Sequence, residues 1–592
     1  MKPTYRFFAL VLFVFSVACT TQTKVNPEIT KDELYAHIDF LASDSLMGRQ
    51  PGTPFDRVAA KYIKDFLESN GFTLIAKNGY QFFEFVDHQD FGPNNFMSVN
   101  KEPLSMGDDF TVFSFSSSDT LSAAVAFVGY GFSFSNDSLI WDDYIPVNVN
   151  GKWAMILRGD PDSESSNSPF ASHSADRHKA MVAKDHGALG VIFVSGVGFD
   201  PKDEFVSSKQ KTFDIGIPVV HVKRSIANKI LNVSGRSLES IESKLIETKS
   251  SDSFVVGSNV CSRTEVLTKK RSTQNVVGLI EGTDPSLRNQ YIIIGAHYDH
   301  IGMGGKGSSS RNPDTLAVHN GADDNASGVA AMLEIGQKLL HNKPKRSVII
   351  VAFGSEEMGL LGSRYFTDNS IVPLESIVAM VNIDMLGRMN EDRVLQVGGV
   401  KTSLEAEDIL GRVNENFKFN MALAPQGYGP SDHASFYSKN IPVFFFSTGA
   451  HVDYHTPNDI IDLINFEGLN DASHFIYDLV LKLADMPEML TFQEAGPSAP
   501  ASRHGRELKV RLGIMPDVSG VTNEGLLILA VNENQPAWLA GLAKGDIITA
   551  INGKTVNNIQ DYMFRLQELT VGSTISLEFE RNGEMKVVLV QL

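Results

Sequence analysis

Between Gln274 and Pro487 short apolar runs alternate with amphipathic stretches, and this alternation constrains the fold more than any other feature of the chain. Tyr291 to Gly295, Ser347 to Phe353, Ile377 to Ile383 and Ile441 to Phe446 read as strands. Residues 327–341, 361–367, 404–414 and 470–484 read as helices. Such an order implies an α/β/α sandwich with a mostly parallel central sheet. In open sheets of this kind, chemistry gathers in the loops beyond the carboxyl ends of the strands.

The polar residues fall at those ends. The first strand runs into Ala296-His297-Tyr298-Asp299-His300, the second into Gly354-Ser355-Glu356-Glu357 and the third into Asp384; the fourth is followed by Tyr454-His455-Thr456. Asp324, in Gly321 to Gly328, starts the long helix beside them. Imidazoles from His297 and His455 together with carboxylates suit zinc, which takes His and Asp/Glu in near-tetrahedral shells and keeps one position open for catalysis. The set exceeds the needs of one ion. Two ions bridged by a carboxylate use it economically, sharing a water and stabilising a tetrahedral oxyanion. A leftover carboxylate can take the proton of that water. The adjacent pair Glu356-Glu357 fits this division, because neighbouring residues on a turn point in different directions.

His297-Tyr298-Asp299-His300, Asn320 to Gly328, Ser355 to Gly359, Asn382-Ile383-Asp384 and Tyr454-His455-Thr456 with Asp459 together resemble the M28 family of zinc exopeptidases. Leu41 to Asp44, Gly48-Arg49 and Gly52-Thr53 resemble the start of the same family. The resemblance implies two Zn2+ ions. Asp324 would bridge them, with His297 and Asp384 completing one site and Glu357 and His455 the other. Glu356 would be the general base. Asp299 would hydrogen-bond the far nitrogen of His297 and fix its tautomer, and Tyr454 would polarise the scissile carbonyl. Ser431-Asp432-His433 resembles a family signature near the substrate pocket and receives no catalytic part. His300, Asp323 and His319 keep the ordinary reading of loop residues without a ligand role.

The resemblance also implies the activity: an aminopeptidase in which a free α-amino group binds at the metal edge and a metal-bridging hydroxide attacks the first peptide carbonyl. The same scaffold hosts carboxypeptidases and glutaminyl cyclases, and a binding protein with an inert core is a further alternative. Completeness of the ligand set argues against inertness. Gly302 to Gly307 formally matches a dinucleotide fingerprint, but the turn-rich Ser308 to Pro313 opens no helix to hold a pyrophosphate.

At 592 residues the chain exceeds one hydrophobic core. Residues 27–120 read as the N-terminal part of the peptidase domain and 270–487 as its catalytic part. Residues 121–250 form a β-rich segment whose Trp141-Asp142-Asp143-Tyr144, Gly151-Lys152-Trp153 and Arg158-Gly159-Asp160 resemble a protease-associated domain. A turn-rich linker, 488–506, precedes a small β domain, 507–592, whose Leu512-Gly513-Ile514, Gly545-Asp546-Ile547-Ile548 and Ile551-Asn552-Gly553 resemble a PDZ domain. Such domains bind peptide carboxyl termini at a sheet edge, here with Arg511 to Ile514 as the carboxylate loop. A formal charge of −18 argues against a general nucleic-acid binder. Lys2 and Arg6 followed by the apolar run Phe7 to Val17 read as an export signal over 1–18, with Cys19 placed as in a lipoprotein. The expected location is the cell envelope, with a lipid on Cys19 as the only membrane contact and the protein facing the periplasm or cell surface; the alternative is a plain secretory signal and a periplasmic or secreted protein. Cys261 reads as a small buried residue.

Overall fold

The computed structural model describes residues 27–135, 139–162, 168–206, 212–495, 510–517 and 524–592. The export segment and Cys19 lie outside the described residues. Among these residues no helix is long and apolar enough to cross a membrane.

Four parallel strands, β1 (Tyr291–His297), β2 (Ser347–Phe353), β3 (Ile377–Ile383) and β4 (Val443–Ser447), form the middle of a nine-stranded sheet in the order β2-β1-β3-β4. They are almost wholly apolar because helices cover both faces. Ile292 and Ile294 face a layer containing Lys31–Leu41, Pro54–Asn70, Gly328–His341, Ala406–Phe417 and Phe466–Asp485. Ile293, one residue out of phase, packs on the opposite face with Phe366 of Leu361–Asp368 and Phe436 of His433–Tyr437. The expected α/β/α sandwich is therefore observed. Its second helix begins with Thr53 accepting from the Asp56 amide and ends at Gly71 in the left-handed region, φ 92°.

The sheet's outer part is a long ribbon. Val266–Ile280 pairs antiparallel with Tyr80–Phe91, beginning at Val266 opposite Phe91. Everything between those two strands builds a second, eight-stranded sheet. It reaches beyond 121–250 on both sides, drawing in Phe96–Val99, Phe110–Val112 and Phe254–Arg263. Short strands separated by turns carry too weak a pattern to place such boundaries. Cys261 lies on the last of these strands and is half-buried rather than buried.

The stretch after 488 is not all linker: Leu490 is buried in the catalytic core, and the Ala495 amide donates to Tyr437 Oη at 2.8 Å. In the C-terminal domain, helix Ile559–Gln567 is capped by Asn558 and docks on the second domain. Phe564 is buried in that domain's core, Arg177 pairs with Asp561 at 3.0 Å, and Arg565 pairs with Asp185. On its other flank the domain meets the catalytic domain, where Tyr428 Oη donates to the Leu529 carbonyl at 2.6 Å and Arg364 pairs with Asp517.

Candidate metal centre

Each strand end delivers its side chain to one place. His297 is the last residue of β1; its Nδ1–H donates to the main-chain carbonyl of Asp299 at 3.2 Å, which leaves Nε2 free to ligate. Nε2 lies 3.2 Å from Asp324 Oδ1 and 3.3 Å from Asp384 Oδ1. His455 is oriented in the same way, with Nδ1–H donating to the Ser309 carbonyl at 3.0 Å. Its Nε2 lies 3.2 Å from Asp324 Oδ2 and 3.1 Å from Glu357 Oε2. The two oxygens of Asp324 thus face two different groups.

These spacings match the edge of a tetrahedron around zinc, about 3.3 Å for bonds of ~2.0 Å. Two sets of side chains converge closely enough to hold a metal ion: His297, Asp324 and Asp384, and His300, Asp324, Glu357 and His455. In the second set His300 Nδ1, Asp324 Oδ2, Glu357 Oε1 and His455 Nε2 are all buried and have no hydrogen-bond partner. Buried polar atoms are almost always paired, so four unpaired donors around one point fit a cation.

The loops are held by a second set of residues. Asp324 does not start the long helix, which begins at Gly328; Asp324 and Asn325 both have non-helical backbones and are joined by a cis peptide. The Asp459 carboxylate accepts from the amides of Asp323 and Asp324 at 3.0 Å each. Asn325 Nδ2 donates to the Ile383 carbonyl at 2.9 Å, while its Oδ1 accepts from the Met385 amide at 3.2 Å, bracketing Asp384. Ser431 Oγ donates to Asp384 Oδ2 at 2.7 Å and accepts from Asn382 Nδ2 at 2.7 Å. Ser355, Met385 and His455 all lie at positive φ, an unfavourable backbone for such residues and one that concentrates at functional sites.

Glu356 and Glu357 diverge. Glu356 Oε2 sits 3.9 Å from His297 Nε2, on the side of the first set. Burial pushes its carboxyl well above the ordinary range against the pull of His297, with Asp384, Asp432 and Glu357 adding to the rise. The Asp299 carboxylate does not fix the tautomer of His297, its nearer oxygen being 3.9 Å from Nδ1. It accepts instead from the amides of Glu356 at 3.0 Å and Glu357 at 3.3 Å, because the chain turns after β1 and carries Asp299 under the β2 loop. Tyr454 stacks on His455 with ring centroids 3.8 Å apart, and burial pushes its phenol up.

His300, set aside on sequence grounds, is brought into the second set; its spacing of three from His297 at a strand end was the available signal. Asp323 is structural, its Oδ1 accepting from Ser327 Oγ at 3.0 Å. His319 pairs with Ser310 Oγ at 2.8 Å. Arg49, quoted only as part of a motif, is buried and donates to the carbonyls of Tyr298 (2.8 Å), Asn320 (2.6 Å), Gly321 (3.0 Å) and Leu41. It ties the N-terminal segment to the loops carrying His297 and Asp324.

An α/β/α sandwich presenting histidines and carboxylates around a shared aspartate is suited to metal-dependent hydrolysis. Residues 275–480 match the model described as Peptidase family M28, 117–230 that of the PA domain and 510–592 that of the PDZ domain. The chain thus contains a segment that matches the M28 peptidases, preceded by one that matches PA domains and followed by one that matches PDZ domains. It is similar to an aminopeptidase of Pseudomonas aeruginosa, 26% identical over 428 residues, covering 70% of this chain and 69% of that one. It is also similar to aminopeptidase YwaD of Bacillus subtilis, 25% identical over 361 residues, covering 58% and 64%. Among solved structures, the zinc aminopeptidase BSAP from Bacillus subtilis aligns at 21% identity over 80% of this chain and 100% of that one, with a TM-score of 0.45.

Proposed function

We propose that the chain is an exported aminopeptidase that holds two zinc ions, one in each set of side chains, with Asp324 between them. The carrying observation is the split of Asp324, Oδ1 toward His297 and Oδ2 toward His455. Zinc at this centre supplies Lewis acidity toward water and toward a peptide carbonyl. The remaining work belongs to the protein. Glu356, held on its turn by Asp299, takes a proton from the attacking water at its carboxylate. As the carbon–nitrogen bond breaks, the same carboxyl returns that proton to the departing amine. The Tyr454 phenol, kept protonated by burial, is placed beside His455 to donate to the oxygen that gains charge. The carboxylates at the strand ends suit a substrate's free α-amino group, and the similar proteins named as aminopeptidases support that direction of attack. Export rests on the sequence of residues 1–18, with a lipid on Cys19 as the means of anchoring. The PDZ domain's carboxylate loop, Arg511 to Ile514, is suited to a peptide carboxyl terminus.

The test compares 4-nitroanilides of free amino acids with their N-acetyl counterparts, using wild type and Glu356→Gln. Wild type should cleave only the free-amine amides, and Glu356→Gln should keep its zinc while losing about 10²- to 10⁴-fold in turnover. Equal cleavage of acetylated amides would remove the aminopeptidase reading. Turnover within tenfold of wild type in Glu356→Gln would remove the assigned base.

A further inference from the structure

The C-terminal domain closes with a hairpin whose last strand has a bare edge. Thr574–Arg581 and Glu584–Gln591 pair without a bulge, from Arg581 opposite Glu584 to Thr574 opposite Gln591. Asn582 and Gly583 join them at φ 54° and 80°, both left-handed as a tight two-residue turn requires. Glu584–Gln591 ends its sheet, and among the described residues no strand lies beyond it. The Leu592 amide donates to the Ser573 carbonyl at 2.9 Å. Hydrogen-bonded pairs recur at every second position of an antiparallel ladder, so the even-numbered residues of this strand spend their main-chain groups on the neighbouring strand. The N–H and C=O groups of Met585, Val587 and Leu589 therefore point outward. The same three residues are 60%, 65% and 71% exposed, while Val590, on the opposite face, is buried in the domain core. Edge strands are usually blunted by proline, a bulge or outward charge, and none of these interrupts the row Met585, Val587, Leu589. Lys586 belongs to the other face and pairs with Glu584 at 3.6 Å. Trp538 and Leu539, 45% and 69% exposed on the short helix Pro536–Leu539 packed beside this strand, add apolar surface.

We propose that this edge pairs with the same edge of a second copy of the chain, antiparallel about a twofold axis at Val587. The strand is its own complement. Centred there, Val587 faces Val587 of the second copy and Met585 faces its Leu589, so each outward-pointing residue meets another and each pair can exchange both main-chain bonds. The apolar side chains then form one unbroken row across the joined sheets, which is what sets register in a strand. Moving the axis to Val588 would keep the bonds but set Met585 against the polar Gln591. The rest of the molecule leaves the edge clear. Leu529, which accepts from Tyr428 of the catalytic domain, lies on Leu526–Val531, two strands inward from this edge. The carboxylate loop leads into Ile514–Pro516 at the opposite edge of the sheet, so a dimer built here leaves it open. The assignment is independent of the metal centre.

The experiment is sedimentation of the purified full chain over a range of concentrations. A single strand edge makes a small interface, so wild type should dimerise with a Kd on the order of micromolar. Because Val587 sits on the axis, one substitution acts twice. Val587→Lys brings two ammonium groups together and Val587→Asp two carboxylates, and each should weaken the dimer at least about 100-fold. Mixed in equal amounts, the two variants should dimerise with one another to within about tenfold of wild type, since opposite charges then face across the axis. That recovery also shows that both variants are folded. Wild type that remains monomeric at roughly 100 times the micromolar range would overturn the proposal and leave the edge to a different protein. A dimer that survives unchanged in both variants would overturn it too, placing the contact elsewhere. Variants that stay monomeric when mixed, although each keeps the circular dichroism of wild type, would refute the axis at Val587.

Discussion

Replacing Arg49 by Met tests whether the N-terminal segment builds the metal centre or merely covers it. The guanidinium donates to four main-chain carbonyls, three of them in the segments that carry His297 and Asp324. Hydrogen bonds from a charged donor contribute about 1.5–3 kcal/mol each, so the gross loss is roughly 6–12 kcal/mol. Against this stands the cost of burying the cation. Burial lowers Arg49 from 12.5 to about 10, which corresponds to about 3 kcal/mol that Met does not incur. The net is a destabilisation of at least about 3 kcal/mol, with carbonyls left unpaired beside two ligand loops. The chain's tryptophans, Trp141, Trp153 and Trp538, all lie in the flanking domains, so their fluorescence is blind to this change. Amide hydrogen exchange is the suitable assay. Residues 298–302 and 319–324 should lose protection, and zinc should bind about 10- to 100-fold more weakly. A cost below about 1 kcal/mol with unchanged exchange in those two segments would refute the reasoning.

Ser431→Ala removes the donor to Asp384 Oδ2 and strands the Asn382 amide. It should weaken zinc retention about 10- to 100-fold while leaving the fold intact, and chelator competition beside circular dichroism checks both halves. Lys179, fully buried in the PA domain and bonded to the Leu157 carbonyl at 2.8 Å, is lowered by burial to about 7. Its unfolded value is near 10.5, so the unfolded chain holds the proton more tightly. The penalty is full below pH 7 and is relieved as pH rises toward the unfolded value. Wild type should therefore gain about 2–3 kcal/mol between pH 7 and pH 9 from this group, and Lys179→Met should abolish that gain, read from Trp141 and Trp153 fluorescence on unfolding.

The catalytic frame was legible because its signals are local. β2 and β3 were placed to the residue, since strands covered on both faces are unbroken apolar runs, and the ligands follow them directly in sequence. What escaped notice depends on how loops fold back. Asp299 was expected to reach along its own turn to His297, whereas the chain direction after β1 sends its carboxylate to the amides of the next loop. His300 looked idle because the residues it meets, Asp324, Glu357 and His455, come from three other loops. Arg49 acts through carbonyls, which every residue has, so its partners leave no mark in the sequence. The edges of the PA domain were blurred because strands of three or four residues carry little periodicity.

The PA domain leaves the peptidase at Phe91 and returns at Val266, and those two residues are opposite each other in one ladder. The host chain is thus interrupted by well over a hundred residues without its ends being separated. The entropic cost of closing the chain across such a junction rises by only about 0.6 kcal/mol for each doubling of the insert. To the peptidase fold the whole domain is equivalent to a hairpin turn. A lineage could gain it, lose it or exchange it for another module there, and the strands that carry the metal ligands would keep their register throughout.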